Sequence, residues 1–447
     1  MTPKAFELIA GNSRAEDVIA SAAKQCGVDS SQVEDIYPCA PLQKEMVLHS
    51  LSGRKSQLAR EVVELAEDLD VARLQKAWNH VYQRYPILRT RFVRTESGDL
   101  VQVVVREDLA WQSQTDHLTT DAQLLPALGK RLAHWALTPG DKSSPNGHLI
   151  VTIHHALFDS ITLGHIFSAV FAAYQGIPLP TQQPVPFSSF LALLAKNQAQ
   201  RQDSHRFWRS YLSDCAASTF PALPSPNYHP SANRGSQRHI PLPASVQRSL
   251  QQHGLTVPTL VRGAWALMLS NHSTPAGDDV LFASLLPGRT IPLPDIDDLA
   301  APTQAHVPIR VSMPRDEPPP AFLARIQTEA TAMIPFEHDG MDQIRAVDER
   351  VRDTCSRIGH LLVVQSLPAE GPPAEFPGRI VSGPRVDAAG MGEFTWYGLM
   401  VQCIILPGGV LLRASFDDCL LSAPAMEGII DDFGRALGEL SEGLAVV

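Results

Sequence analysis

The sequence predicts a mixed α/β (or α+β) protein with two lobes of similar size. The chain has 447 residues, which is enough for two domains at roughly 100–200 residues each. Segments with strand-like alternation and segments with helical periodicity occur in both halves, as in mixed folds. A proline-rich stretch at 177–187 separates the halves. We therefore expect a leader helix and linker at 1–30, an N-terminal lobe at 31–180 and a C-terminal lobe at 181–447.

Apolar spacing and capping residues predict the elements of the first half. Asp70 is placed to cap a helix with one apolar face, and Pro86 ends that helix. Residues 148–155 (HLIVTIHH) form a strongly apolar strand that ends in two histidines, and the apolar helix at 161–175 after it ends at Gly176. The other predicted elements are helices at 14–27 and 70–85, a loop leading into a helix at 35–50, and strands at 60–67, 87–94 and 100–106.

The second half shows the same mixture of patterns, interrupted by prolines. Proline-rich stretches predict long surface loops or crossings between the halves. The predicted elements are helices at 205–214, 256–271 and 423–440, strands at 278–285, 305–312, 359–366 and 409–416, and loops at 217–230, 287–302 and 314–320.

Composition excludes several classes of function. The net charge of −10 argues against binding to nucleic acid, which requires clustered lysine and arginine. No apolar run approaches the roughly 20 residues of a membrane span, and no signal peptide begins the chain. The six cysteines are scattered without a CxxC pair, so neither a zinc site nor a disulfide framework is indicated. We expect a cytosolic monomer.

The sharpest local feature is the segment His154-His155-Ala156-Leu157-Phe158-Asp159-Ser160. Two histidines and an aspartate this close could serve a metal, acid–base chemistry or structure. The preceding strand sends the two histidines to opposite faces, which disfavours one shared metal. One histidine can also be a satisfied core residue, and Asp159 suits the N-cap of the following helix. The local pattern alone leaves catalysis and structure open.

The same segment resembles the HHxxxDG motif of condensation domains from nonribosomal peptide synthetases, in their fungal form. Other segments resemble further motifs of that family in the same order, so that the resemblance covers about residues 15–440. These segments are YPCAPLQKEM (37–46), RYPILRTRF (84–92), HRFWRSYL (205–212), LLPGRTIPLPDIDDLAAPTQAHVPIRV (285–311), PFEHDGMDQI (335–344) and LLVVQS (361–366), with the final strands MVQCIILPGGVLLRASFDD after them.

The resemblance implies a fold, a reaction and partners. It implies two chloramphenicol acetyltransferase-like lobes in a V-shaped pseudo-dimer with a central tunnel, at whose ends carrier domains dock. It implies a catalytic His155 that faces the tunnel, a structural His154, and an ion pair between Asp159 and Arg289. The reaction would be amide or ester formation from a carrier-bound acyl or peptidyl thioester. No cofactor is expected in the chain, because the phosphopantetheine arm arrives on the carrier protein.

The sequence departs from the family pattern at three places. Ser160 replaces the glycine of the motif, which is harmless if the position is the first of a helix and costly if it requires positive φ. Ala305 replaces an asparagine, and the flanking Gln304 and His306 could supply a polar group to the tunnel. Lys44-Glu45 replaces a usual Glu-Gly pair. Trp396 follows a glycine-containing stretch and is a further candidate for the tunnel lining.

Several functions remain open from the sequence. The chain could extend a peptide or release it by terminal cyclisation, and Tyr174 does not distinguish the two. A freestanding acyltransferase that uses coenzyme A is a second hypothesis, although no basic cluster for the nucleotide is evident. A catalytically inactive carrier-docking module is a third. The sequence identifies neither the acyl donor nor the nucleophile.

Overall fold

The computed structural model describes most of the chain. It covers residues 3–9, 15–53, 57–114, 126–142, 144–180, 184–197, 201–225, 227–272, 279–313, 316–366, 378–382 and 390–444. The chain forms two compact units. The first consists of Met1–Ala199, Pro292–Thr303 and Pro368–Asp387, and the second of Gln200–Ile291, Gln304–Leu367 and Ala388–Val447. The first unit thus continues past residue 180 and takes in two later segments.

Helices and strands alternate along both units, so the predicted mixed α/β class is confirmed. In chain order the elements are α1 (Ala15–Cys26), β1 (Val33–Pro38), α2 (Pro41–Leu51), β2 (Leu58–Leu65), α3 (Val71–Arg84), β3 (Thr90–Arg94), β4 (Leu100–Val105), β5 (Trp111–Ser113), β6 (Ala133–Leu137), β7 (His148–His154), α4 (Ser160–Gln175), α5 (Phe187–Asn197), α6 (Arg201–Leu212), β8 (Arg234–Pro241), α7 (Ala244–Gln252), α8 (Val257–His272), β9 (Asp279–Leu286), β10 (Ala305–Ser312), α9 (Pro319–Met333), α10 (Met341–Arg345), α11 (Glu349–Ser356), β11 (His360–Ser366), β12 (Gly378–Ser382), β13 (Leu399–Leu406), β14 (Gly409–Phe416) and α12 (Ala423–Gly443).

The first unit contains two sheets. A three-stranded antiparallel sheet has the order β1-β4-β3, and a five-stranded sheet has the order β12-β2-β7-β6-β5. Helices α3 and α4 pack on the five-stranded sheet through aromatic rings. Trp78 of α3 lies 5.6 Å from the ring centroids of both Trp135 and Phe167. This packing holds α3 against α4 and against β6, and β6 pairs with β7, the strand that precedes the histidine motif.

The second unit is built on one six-stranded sheet with the order β10-β9-β11-β13-β14-β8. Strand β11 runs parallel to both of its neighbours, and the other pairs are antiparallel. Helix α8 packs on one face, where the indole N–H of Trp265 donates to His360 Nε2 of β11 at 3.0 Å. Helix α12 packs on the same face beside it, since Phe433 contacts Trp265. Trp208 of α6 is also fully buried in this core.

Three predicted elements need correction. The segment at 35–50 begins with strand β1, because Ile36 and Tyr37 pair with β4. Residues 86–89 form a 3-10 helix that begins at Pro86, so the predicted strand starts only at Thr90. The proline stretch at 314–320 leads directly into α9, which tolerates prolines in its first turn because those positions have no intrahelical N–H partner.

Some elements have no sequence prediction, among them α5, α7 and β8. Strand β8 is an edge strand with mostly exposed side chains, so it lacks an apolar pattern. Within the described ranges, no helix combines the length and the hydropathy that a bilayer crossing requires.

Candidate active site

The histidine motif lies at the turn from β7 to α4 in the first unit. His154 is the last residue of β7, and residues His155–Leu157 form one turn of 3-10 helix. Asp159 then adopts an extended conformation as the N-cap of α4, and Gly176 ends that helix in the left-handed conformation, with φ of 75°. The strand and the helix meet within five residues, so the motif side chains have little freedom.

His154 is buried and makes hydrogen bonds through both ring nitrogens. The backbone N–H of Ala156 donates to Nδ1 at 3.1 Å, so the ring proton is on Nε2, which donates to Ser50 Oγ at 2.7 Å. Ser50 in turn donates to the carbonyl oxygen of Met46 at 3.0 Å. Burial lowers the pKa of His154 to about 3, so the ring stays neutral. This arrangement ties the end of β7 to α2.

His155 is half-buried and is held by two contacts with Phe158. Its Nδ1 lies 2.9 Å from the carbonyl oxygen of Phe158, and the two rings stack with centroids 4.6 Å apart. Because a carbonyl oxygen only accepts, Nδ1 carries the proton and Nε2 is the basic nitrogen. The backbone N–H of His155 donates to the carbonyl of Gln57 at 2.8 Å. Burial lowers the pKa of His155, and the bond to Phe158 partly opposes this effect.

Asp159 joins two segments of the first unit. Its Oδ1 accepts from the backbone N–H and the hydroxyl of Thr162, both at 2.7 Å. Its Oδ2 accepts from the backbone N–H of Thr303 at 3.2 Å. Ser160 is the first residue of α4 and does not have positive φ, so its side chain costs nothing at this position. Asp159 therefore caps α4 and fastens the segment Pro292–Thr303 to it.

A pair of buried glutamines supports the motif from the side of α2. Gln43 donates from Nε2 to the carbonyl oxygen of Ala156 at 2.8 Å. Gln43 also exchanges two hydrogen bonds with Gln102 of β4, at 3.1 and 2.9 Å. Sequence reasoning did not single out these residues, although Gln43 belongs to the YPCAPLQ segment. That segment thus holds the backbone of the turn that carries the two histidines.

Two neighbouring residues have simpler roles in the first unit. His165 of α4 lies with Nε2 2.6 Å from the carbonyl oxygen of Asp297, and so also holds the segment Pro292–Thr303. Tyr174 accepts the backbone N–H of Asp70 at 3.1 Å and stacks with Arg73. Tyr174 therefore fastens α4 to the start of α3.

Arg289 belongs to the second unit, where its neighbours in sequence are held on both sides. The hydroxyl of Thr290 donates to Glu337 at 2.6 Å, and Nε2 of His338 lies 3.1 Å from the carbonyl oxygen of Gly288. Burial lowers the pKa of His338 to about 4, so His338 is neutral at cellular pH. The PFEH segment therefore positions the loop that carries Arg289. The expected pairing of Arg289 with Asp159 stays a prediction.

The other tunnel candidates also lie in the second unit. His306 is buried, with Nε2 3.1 Å from the Tyr397 hydroxyl and its ring centroid 5.6 Å from that of Trp396. Trp396 and Gln304 are half-buried. Ala305 and His306 are consecutive in β10, so their side chains point to opposite faces of the sheet. His306 and Ala305 therefore lie on different faces of β10, and a role of His306 or Gln304 in the tunnel stays a prediction.

The cysteines and one acidic cluster are the remaining candidates for metal binding. All six cysteines are free thiols. Among the described residues, one group has suitable spacing for a metal, namely Asp417, Asp418 and Cys419. Both carboxylates already serve the protein, because Asp417 accepts from the Tyr228 hydroxyl at 2.8 Å and Asp418 pairs with Arg234 at 3.1 Å. We assign no metal to this group.

Comparison with known proteins identifies the family. The family model described as "Condensation domain" matches residues 33–445. The chain belongs to the condensation-domain family. It is 49% identical over 98% of its length to the nonribosomal peptide synthetase rstn8 of Aspergillus nomiae, and 49% identical over 99% to resC of Aspergillus sclerotiorum. It covers 33% and 34% of those two proteins, and so spans about a third of their length.

Solved structures with low identity share the fold. The structure of holo T3CT has a TM-score of 0.72 at 18% identity, with 98% of each chain covered. The condensation domain from the monacolin K polyketide synthase MokA has a TM-score of 0.67 at 15% identity, covering 92% of this chain and 98% of that one. The family expected from the seven motif segments is therefore confirmed, and with it the class of an acyltransferase-type enzyme.

Proposed function

We propose that this chain transfers an acyl or peptidyl group from a carrier-bound thioester to an amine or a hydroxyl, with His155 as the catalytic residue. The observation that carries the proposal is the bond from His155 Nδ1 to the Phe158 carbonyl. It assigns the proton to Nδ1 and the lone pair to Nε2, which is the arrangement a general base needs. Stacking on Phe158 holds the ring in one orientation.

The reaction requires one base and releases one thiolate. A bond forms between the nucleophile and the thioester carbonyl carbon, the C–S bond breaks, and the thiolate leaves on the phosphopantetheine arm. Nε2 of His155 accepts the proton that the nucleophile loses and can return it to the thiolate. A pKa held below its ordinary value keeps His155 neutral at cellular pH. A positioned base of this kind contributes about 10²–10⁴-fold in rate.

The nucleophile decides how much His155 contributes. A free α-amino group has a pKa of about 7.7–8.0 and is partly neutral at cellular pH, so His155 chiefly positions it and takes its proton afterwards. A hydroxyl is far less acidic and gains more from a base. The remaining acceleration comes from holding two tethered reactants together.

The other motif residues act through position. We propose that His154, Asp159 and Ser160 shape the turn, that Arg289 pairs with Asp159, and that Gln304, His306 and Trp396 line the path of the substrates. The family resemblance supports two chloramphenicol acetyltransferase-like lobes arranged as a V around a tunnel, with carrier domains docking at its ends. The six free thiols fit a reducing cytosol.

The test is intact-mass analysis of a peptidyl-loaded donor carrier incubated with the chain, with and without an aminoacyl-loaded second carrier. His155→Ala is compared with His165→Ala, which removes an imidazole of α4 that bonds to the carbonyl oxygen of Asp297 and makes no direct hydrogen bond to the turn. We expect His155→Ala to lower turnover by about 10²–10⁴-fold for the chemical step, and His165→Ala to retain most activity. Unaltered turnover in His155→Ala overturns the proposal.

The same measurement separates the forms of the reaction. Transfer only to the second carrier identifies a chain-extending domain. Loss of the peptide without a second carrier, as a product lighter than the free acid by one water, identifies terminal cyclisation. Absence of turnover in both settings favours the enzyme that uses coenzyme A or the docking module.

A further inference from the structure

A polar pair lies on an otherwise apolar part of the sheet in the second unit. Gln402 of β13 is directly opposite Arg413 of β14 in the antiparallel register. Side chains opposite each other share a face and have Cβ atoms about 4.5–5.5 Å apart. Met400 and Ile404, two positions before and after Gln402 on the same face, are buried apolar residues.

This face is the one that α8 and α12 do not cover. On β8, Ser236 and Arg238 bond to Glu427 of α12, so they point toward that helix. Gln237 between them points the other way, and Arg413 pairs with Gln237 across β14 and β8. The row from Gln402 through Arg413 to Gln237 therefore lies opposite the helical layer.

Gln402 and Arg413 each have one buried polar atom without a hydrogen-bond partner among the described residues. Gln402 is 8% exposed, and its Oε1 has no donor within the part of the chain that the structure describes. Nε of Arg413 is likewise buried without an acceptor there, and burial is what lowers the pKa of this guanidinium. An unpaired buried polar group is destabilising, so a protein retains one where something else satisfies it.

We propose that Gln402 and Arg413 form a subsite for a secondary amide of the substrate. Oε1 of Gln402 accepts the amide N–H, and the guanidinium of Arg413 donates to the amide carbonyl oxygen. One missing donor and one missing acceptor on neighbouring side chains match the two ends of a single amide. An oxyanion would satisfy Arg413 but would place negative charge against the oxygen of Gln402.

The amide has two possible sources, and naming them rests on the proposed function. Carrier-bound substrates contain secondary amides both in the phosphopantetheine arm and in a peptidyl chain. The chemistry that the pair recognises is the same in both cases. Free pantetheine represents the arm, and N-acetylglycine methyl ester represents the peptidyl chain.

The test is calorimetric titration of each probe into the full chain and its variants. Gln402→Leu and Arg413→Met remove the two partners, and Gln251→Leu and Arg248→Met are matched changes at exposed positions of α7. We expect the dissociation constant of at least one probe to rise about tenfold in each of the first two variants, as for one lost hydrogen bond. The two controls should bind like the original chain.

An ester analogue of each probe has oxygen in place of the amide N–H. A purely structural role of Gln402 would not distinguish the ester from the amide, so the difference in binding tests the proposed contact. We expect the analogue to bind the original chain about tenfold more weakly and to be insensitive to Gln402→Leu. Gln402→Leu should also keep the original melting temperature, because it removes an unpaired buried acceptor.

The outcomes separate the sources and the alternatives. If the variants weaken the binding of pantetheine alone, the subsite binds the phosphopantetheine arm. If they weaken the binding of N-acetylglycine methyl ester alone, the subsite binds the peptidyl chain. The subsite is overturned if neither amide binds, if binding ignores both variants, or if acetate is the ligand whose affinity depends on Arg413. His155→Ala should bind both probes normally, so a failure of the proposed catalysis and a failure of this subsite give different results.

Discussion

Replacing Asp159 by alanine removes the two attachments that this carboxylate makes in the first unit. Asp159 is 2% exposed, and its oxygens accept from Thr162 and from the backbone N–H of Thr303. Loss of an N-cap costs about 0.5–2 kcal/mol. A buried hydrogen bond to a charged group contributes about 1.5–3 kcal/mol. We therefore expect Asp159→Ala to lower the free energy of unfolding by about 2–5 kcal/mol.

Asparagine at the same position separates the two attachments. The amide oxygen of Asp159→Asn can still cap α4, but its NH₂ group faces the N–H of Thr303, and two donors do not bond. The expected loss is about 1–3 kcal/mol, between those of the original chain and the alanine variant. Thr303→Val is the matched control for this buried residue, because it keeps the backbone N–H and the side-chain volume and removes the hydroxyl, which lies 3.5 Å from Asp159, so it should cost less than Asp159→Asn.

Urea unfolding followed by far-ultraviolet circular dichroism measures all three variants under the same conditions. The reasoning is refuted if Asp159→Ala stays within about 0.5 kcal/mol of the original chain, a change no larger than an ordinary surface substitution gives. It is also refuted if Thr303→Val costs as much as Asp159→Asn, since the attachment would then run through the threonine hydroxyl.

Three further predictions concern other buried polar groups. Ser50→Ala leaves Nε2–H of His154 without its acceptor and should lower the free energy of unfolding by about 1–3 kcal/mol in urea unfolding, whereas Ser50→Thr, which keeps a hydroxyl, should lose less. Burial lowers the pKa of His360 from about 6.5 in the unfolded chain to about 4 in the folded chain. The folded chain therefore keeps its full stability above pH 6.5, and its free energy of unfolding decreases as the pH falls toward 4. Between pH 7.5 and pH 5 the original chain should lose about 2 kcal/mol more than His360→Gln, and an equal loss would contradict this. Thr290→Val removes the hydroxyl that donates to buried Glu337 and should lower the free energy of unfolding by about 1–3 kcal/mol. The loss should be smaller in a chain that also carries Glu337→Gln, and a double-mutant cycle measures the difference.

Local signals predicted α4 and its surroundings well. The apolar run of β7, the capping aspartate and the closing Gly176 all act within a few residues of one another, so the sequence carries them directly. Strand β8 shows the opposite case, because an exposed edge strand is defined by its pairing with β14, whose paired residues lie 168 to 182 positions later in the chain, and not by its own composition. Seven motif segments in order predicted the family, which the comparison confirms.

The support of the site was harder to predict than its central residues. Gln43 and His338 act through bonds to backbone carbonyls that lie far away in sequence, at Ala156 and Gly288. A glutamine in a helix and a histidine near a helix start are ordinary surface residues by pattern alone. Their burial depends on which loops pack against them, and only the tertiary structure determines that.

His154 and His155 show how one residue type serves two roles at adjacent positions. The strand ends between them, and this change of backbone conformation sends one ring into the core and leaves the other half-buried. In His154 both nitrogens complete bonds within the fold, so protonation would break one of them. In His155 the carbonyl of Phe158 accepts from Nδ1, and protonation at Nε2 leaves that bond intact. A ring that can gain and lose a proton without disturbing its own anchor is suited to proton transfer. The order of the pair follows from this, because exchanging the two environments would leave the basic nitrogen inside the core.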